Sequence, residues 1–270
     1  MVVKLVLEYD GTEFAGWQVQ RGRHRRTVQG EVEAALARLP GSWGPVRGAG
    51  RTDAGAHAEG QVASVGYEGP LALRRLRGAI NAHLPPDVAV LSVEAAPDGF
   101  HARYSAVSRH YRYRYLDREV RPVLDRGRCW WVRTPLNEVA MRAAVPALLG
   151  SHDWTTFCAS TVVEEDRVRR LLSASVARGD RFLDLDLVGE GFLRGLVRGI
   201  AGALLEVGRG RRDPAWPGQI VAARERRLAP RVAPSCGLTL VAVHYPPTHP
   251  GAGGGSGEAG EWGRDGRGVR

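Results

Sequence analysis

With 270 residues, 43% of them hydrophobic and 25% charged, the chain has the apolar content for one large or two modest cores. A formal net charge of +9, carried by arginines apart from the single Lys4, favours a polyanionic partner, because guanidinium forks fit phosphate oxygens and stack on bases. Three scattered cysteines without a CxxC pair argue against a disulfide framework or a structural zinc site, and no apolar run approaches the roughly 18–20 residues of a membrane helix, so a soluble cytoplasmic protein is expected.

Val3, Leu5, Leu7 and Tyr9 alternate as one face of a strand that begins almost at Met1, with no signal-peptide pattern before it. Thr27 is placed to cap a helix whose Val28, Val32, Ala35, Leu36 and Leu39 recur at helical spacing. Gly48 to Gly60 reads as a glycine-rich loop. Leu73, Leu76, Ile80 and Leu84 mark a second helix closed by Pro85-Pro86, and Val88 to Val93 a buried strand. Ser105 to Ser108 is the expected crossing into a second half.

There, Tyr111, Tyr113 and Tyr115 alternate with arginines on a strand, so two of the three are expected in the core or on the sheet surface. A helix is predicted over 137–149, kinked at Pro146. Leu171 to Val176 and Phe182 to Val188 flank Gly179-Asp180 as a hairpin. Phe192 to Val207 reads as a helix and Leu238 to His244 as a last strand. Beyond Pro246 the chain is glycine-rich and poor in apolar residues, the composition of a disordered tail.

The sharpest chemical feature is the stretch from Gly48 to Ala58, in which glycines flank Arg51-Thr52-Asp53 and let backbone approach a bulky ligand. The loop thereby presents one carboxylate beside one guanidinium. A tight turn with a capping aspartate is the bland alternative. Asp53, His57 and Glu59 as metal ligands is another, though no second cluster completes a shell. Clusters at Arg21, Arg23, Arg25 and Arg26, and at Arg209, Arg211 and Arg212, are candidate phosphate contacts or simply solvated loops. Asp10, Phe14, Trp17 and Gln18 line the site or brace the first strand's turn, with bracing favoured for Phe14 and Trp17. Codon usage or heat adaptation would also explain the arginine excess.

The company this loop keeps is more specific. Tyr9–Gln18, Thr27–Glu31, Gly50–Gly55, Asn81–Pro85, Phe100–Ala106, Tyr111–Tyr113, Gly150–Trp154, Phe192–Arg198 and Ala233–Leu238 form a series that resembles the TruA-type tRNA pseudouridine synthases in order, over roughly residues 3 to 245. The resemblance implies Asp53 as the catalytic aspartate, Arg198 as its partner, Tyr111 as the active-site tyrosine that stacks on the target base, and Arg51 as an arginine that helps turn the nucleotide outward. It also implies a homodimer and tRNA substrates, modified at uridines 38, 39 and 40 of the anticodon stem-loop. RNA contacts then fall to Arg51, Arg21, Arg23, Arg25, Arg26 and His57. The reaction breaks a glycosidic bond, turns the base and rejoins it through C5, which chemically requires no redox cofactor or metal.

Gly195 and Gly199 depart from the family's bulkier residues and are expected to weaken the helix by up to about 1 kcal/mol each relative to alanine. The expected architecture is α+β: two α/β-sandwich-like domains, residues 1–105 and 106–245, with mixed, mainly antiparallel sheets joined around a central basic cleft, and a disordered tail over 246–270. An RNA-binding protein without catalysis and a metal-dependent hydrolase are the rival functions.

Overall fold

The computed structural model describes residues 1–20, 22, 25–159 and 166–247. The expected tail therefore lies almost wholly outside the described residues, as do Arg21 and Arg23. In chain order the first half contains β1 (Val2–Tyr9), α1 (Val28–Leu36), β2 (Ser42–Trp43), β3 (Arg47–Gly48), β4 (His57–Glu68), α2 (Leu73–Asn81) and β5 (Val88–Ala95). The second contains β6 (Ser108–Asp117), β7 (Trp130–Val132), α3 (Glu138–Ala144), β8 (Gly150–Asp153), β9 (Val168–Arg178), β10 (Leu183–Gly189), α4 (Leu196–Gly208), α5 (Trp216–Ala223) and β11 (Leu238–His244).

One mixed, mainly antiparallel sheet runs β5-β1-β4-β11-β6-β10-β9-β8, with β2 and β3 added to β4 and β7 added to β6. Its described parallel pairs are β11 with β4 and β6 with β7. The fold is thus the expected α+β class. The seam between the chain's halves is sealed by β11, which lies between β4 and β6 and pairs Leu240 with both Ala58 and Tyr111.

Strand β1 behaves as its alternation predicts: Val3, Leu5 and Leu7 are fully buried against a core that includes Val28, Val32 and Leu36 of α1 and Leu76 and Ile80 of α2. Thr27 caps α1 by accepting from the Gly30 amide at 3.3 Å. The same core continues under α4, where Tyr113 and Tyr115 are fully buried. On the reverse face a smaller cluster of Ala49, Val62 and Ala102, with Val6, Phe100 and Tyr245 against it, pins the crossing segment to the sheet.

Several expectations are corrected. The glycine-rich loop ends at Ala56, because His57 to Gly60 already belong to β4. That twelve-residue strand is buried on both faces along most of its length, so it shows no alternation. Strands β7 and β8 and helix α5 were likewise not anticipated. The helix expected over 137–149 stops at Ala144, and a 3-10 turn, Val145–Leu148, takes over where Pro146 has no amide to give. Helix α4 starts at Leu196 rather than Phe192, because Gly195 adopts φ 81°, outside the helical region. Among the described residues no helix is long and apolar enough to cross a membrane.

Candidate active site

Asp53 sits in the irregular link between β3 and β4, and hydrogen bonds fix that link almost residue by residue. The Ala49 amide donates to Val62 O at 2.7 Å, and the Gln61 side-chain amide donates to Gly50 O at 2.9 Å. Thr52 is held twice, its carbonyl by the Trp17 amide at 3.2 Å and its hydroxyl by Tyr9 Oη at 2.8 Å. The Ala56 amide closes a turn onto Asp53 O at 3.1 Å, and the Gly55 amide reaches Phe14 O at 3.2 Å. The segment over 11–17 lies so close that a Cβ on Gly11 would fall 1.8 Å from Ala56 O, and one on Gly16 2.7 Å from Thr52 O. Phe14 and Trp17, 3% and 1% exposed, are therefore braces beneath the loop rather than a lining.

The Asp53 carboxylate points to the first turn of α4. Arg198 Nη1 donates to Asp53 Oδ2 at 2.7 Å, and Arg194 Nε stands 3.7 Å from Oδ1. Arg198 is itself aimed by its Nε, which donates to Ala233 O at 2.6 Å. Both partners keep about a fifth of their side-chain surface exposed, 22% for Asp53 and 23% for Arg198. The pair is thus partly desolvated, where a charge-assisted bond is stronger than in water. The glycines around Arg198 do not loosen this geometry. A Cβ on Gly199 would lie 2.6 Å from Phe157 O, and one on Gly202 1.8 Å from Arg231 O. At these positions the missing side chain permits close packing, which accounts for glycine at 199 and 202, while Gly195 lies outside the helix.

Three tyrosines share the buried side of β6, and their hydroxyls separate them. Tyr113 Oη donates to Pro234 O at 2.8 Å and Tyr115 Oη to Ala201 O at 2.7 Å. Tyr111 Oη has no hydrogen-bond partner among the described residues. It lies 3.2 Å from where a Cβ on Gly50 would be, within the electrostatic reach of Asp53. Burial pushes the Tyr111 phenol up to about 12, partly opposed by the Arg109 guanidinium, so it is neutral and able to donate at physiological pH. Its ring is pinned edge-on against Phe192 with centroids 5.0 Å apart.

A carboxylate, a guanidinium and an unspent phenol thus converge from three distant parts of the chain. The profile of the tRNA pseudouridine synthase family matches residues 5–105 and 144–246. The chain belongs to that family. Relatives include the tRNA pseudouridine synthase A of Geobacillus kaustophilus, 43% identical over 246 residues that span 90% of this chain and 94% of the relative. That of Moorella thermoacetica is 44% identical over 244 residues, spanning 90% and 99%. The protein is accordingly an isomerase of the class that converts uridine to pseudouridine in tRNA.

The remaining site candidates of this synthase are placed unevenly. Arg51 is exposed two positions before Asp53, with no carboxylate partner among the described residues, and Arg25 is exposed as well. Arg26 is occupied: its guanidinium pairs with both oxygens of Asp87, pairs with Glu31, and covers the Phe14 ring at 4.2 Å. His57 is only 6% exposed. Its Nδ1 meets the Gly11 amide at 3.0 Å and Asp10 Oδ1 at 3.2 Å, and its Nε2 meets Gly127 O at 2.7 Å. Both ring nitrogens are therefore engaged inside the fold, which leaves no imidazole donor for a phosphate. Neighbouring Asp10 accepts from Thr12 and Arg128. Burial works against its charge, but the Thr12 hydroxyl and amide and the Arg128 guanidinium outweigh it and hold the carboxyl at about 2. With His57 spent and Glu59 pointing to solvent, the Asp53–His57–Glu59 metal set does not assemble; no group of three metal-ligating side chains gathers among the described residues.

Sequence reasoning passed over Arg109. Its buried guanidinium donates to Ala49 O at 3.2 Å, Arg103 O at 2.5 Å, Ala106 O at 3.4 Å and Glu190 O at 2.7 Å. It thereby ties the Asp53 loop, the crossing segment and the approach to α4 into one body. The signal was present in the alternation that puts residue 109 on the same side of β6 as the tyrosines.

Proposed function

We propose that this synthase isomerises uridines 38, 39 and 40 of the tRNA anticodon stem-loop, with Asp53 as its catalytic carboxylate. The observation that carries the reading is the 2.7 Å bond that fixes Asp53 Oδ2 on Arg198 beside the one β6 tyrosine whose hydroxyl is not spent on a backbone carbonyl. Arg198 aims Asp53 through Oδ2, and Oδ1, with Arg194 Nε 3.7 Å away, is the oxygen that meets the ribose. Asp53 either attacks C1′ or removes the C2′ proton, and the bond from C1′ to N1 breaks. The freed base turns against the Tyr111–Phe192 pair, and C5 bonds to C1′ as the Asp53 ester breaks or, on the other route, as the C2′ proton is returned. The C5 proton then departs, with the neutral Tyr111 phenol in place to relay it, and N1 takes up one proton, so the net change is an isomerisation. Arg51 occupies the rim, where its exposed guanidinium assists extrusion of the nucleotide. Extrusion costs a few kcal/mol, which base–aromatic stacking of about 1–3 kcal/mol partly offsets.

Arg25 supplies phosphate contact along the approach, with Arg21 and Arg23 beside it in sequence. A homodimer acting in the cytoplasm fits this reading, since a folded tRNA is large compared with one chain of 29.3 kDa. Asp53→Asn tests it. The variant keeps the bond to Arg198 and so is expected to bind tRNA as the wild type does. It should lose tritium release from C5-labelled uridine by at least about 10⁴-fold, the scale on which loss of a covalent catalyst is felt. Turnover near the wild-type rate refutes the assignment.

A further inference from the structure

The link between β5 and β6 presents an aromatic that the fold does not use. Tyr104 is 76% exposed, although a buried tyrosine would remove a large area from water. It is not a loose side chain on a loose loop. His101 packs on its ring with centroids 4.5 Å apart, and the Arg103 guanidinium lies 5.6 Å from the ring centroid. The backbone beneath is fixed from every direction. The His101 amide donates to Ser105 Oγ at 3.0 Å, and the Ser105 amide returns to His101 O at 2.9 Å. The Ala102 amide donates to Ser64 Oγ at 3.1 Å, and Ala102 O accepts from Tyr245 Oη at 2.7 Å. His101 Nδ1 accepts from the Arg103 and Tyr104 amides at 3.1 and 3.4 Å, so the imidazole carries its proton on Nε2.

Such a loop holds a flat ring, a cation and an N–H donor in fixed relation while gaining nothing from the ring for its own core. These are the parts of a stacking site for an unpaired nucleobase with its phosphate alongside. Its place in the molecule fits. Arg109 joins Arg103 O to Ala49 O, and Ala49 lies four residues before Asp53, at most about 14 Å of extended chain away.

We propose that Tyr104, flanked by His101 and Arg103, is a stacking platform for a nucleobase of the bound RNA other than the uridine that reacts. The proposal rests on the tRNA-modifying reading above and adds to it a second base-binding position outside the catalytic trio.

The test compares wild type, Tyr104→Phe and Tyr104→Ala as full chains, with tRNA and with anticodon stem-loop RNAs carrying 2-aminopurine at single loop positions. Tyr104→Ala is expected to weaken RNA binding on the order of tenfold, with the phenylalanine variant near wild type, since stacking needs the ring and not the hydroxyl. One 2-aminopurine position should be quenched by wild type and Tyr104→Phe and not by Tyr104→Ala. In all cases the melting temperature should be unchanged. Unaltered binding by Tyr104→Ala overturns the platform, as does a phenylalanine variant equally weak, or a change confined to oligomeric state, which would make the ring a protein contact. A wild-type chain that binds tRNA yet forms no pseudouridine in it defeats the functional reading instead, and leaves the binding comparison to decide the platform.

Discussion

Helices α2 and α4 both carry arginine and both contain glycine, and they use each for opposite ends. In α2 only Leu76 and Ile80 are buried, and Arg74, Arg75 and Arg77 stand on the exposed side. In α4 every residue is buried except Arg198 and Glu206. A cation on the first helix stays exposed to solvent and needs no acid to meet it. A cation on the second is half-withdrawn from water, and an unmatched charge there would be costly, so it has to be met by an acid. Arg198 finds that acid 145 positions earlier in the chain. The glycines repeat the contrast. A Cβ on Gly78 of α2 meets nothing within 4 Å, whereas on Gly202 of α4 it would lie 1.8 Å from a backbone oxygen.

The largest effect that bears on this contrast is chemical. Arg198→Met keeps the length and packing of the side chain and removes its charge. It is expected to cut the rate of pseudouridine formation on the order of a hundredfold or more, in the range seen when a preorganised electrostatic donor is lost. Single-turnover rates with saturating tRNA measure it, and a rate within threefold of wild type would remove Arg198 from the site. Next comes Gly202→Ala, which must push α4 away from Arg231 O. Overpacking of about 1–3 kcal/mol should lower the melting temperature by roughly 2–12 °C; an unchanged transition would mean that the helix is free to shift. The smallest effect has the reverse sign. Gly78→Ala places a methyl in open space and improves helix propensity by about 0.5–1 kcal/mol, so the melting temperature should rise by roughly 1–4 °C. If both alanines move stability in one direction, the contrast between the helices fails.

Legibility in the sequence followed burial in the same way. Strands β1, β6, β10 and β11 each bury one face more than the other, so their side chains alternate and the pattern can be read directly. Strand β4 lies in the middle of the sheet, with β1 on one side and β11 on the other, and is covered above and below; with no polar face there is no period to find. The start of α4 was misplaced because Phe192 and Leu193 continue the apolar spacing, and only the left-handed backbone at Gly195 breaks it. For the site, Asp53 stood out locally by its glycines. Its pairing with Arg198 is tertiary and was available only through family resemblance. Residue type misled at His57: an imidazole in a basic protein suggests RNA, and only the folded chain puts Gly11 and Gly127 on its two nitrogens. The choice among three equivalent tyrosines also needed the fold, because it turns on which hydroxyls find a carbonyl.

The position of β11 has a consequence for biosynthesis. While a ribosome is still making residues before Leu238, β4 has no neighbour on the side that β11 later fills, and the carbonyls of Ala233 and Pro234 that hold Arg198 and Tyr113 have only just been made. A nascent chain stalled short of that point would expose an unpaired strand edge, a template for aggregation. It would also hold Asp53 without the apparatus that aims its partner. The sheet can close across the chain's two halves only once residues through His244 are free to pair, since β11 is the strand that joins β4 to β6.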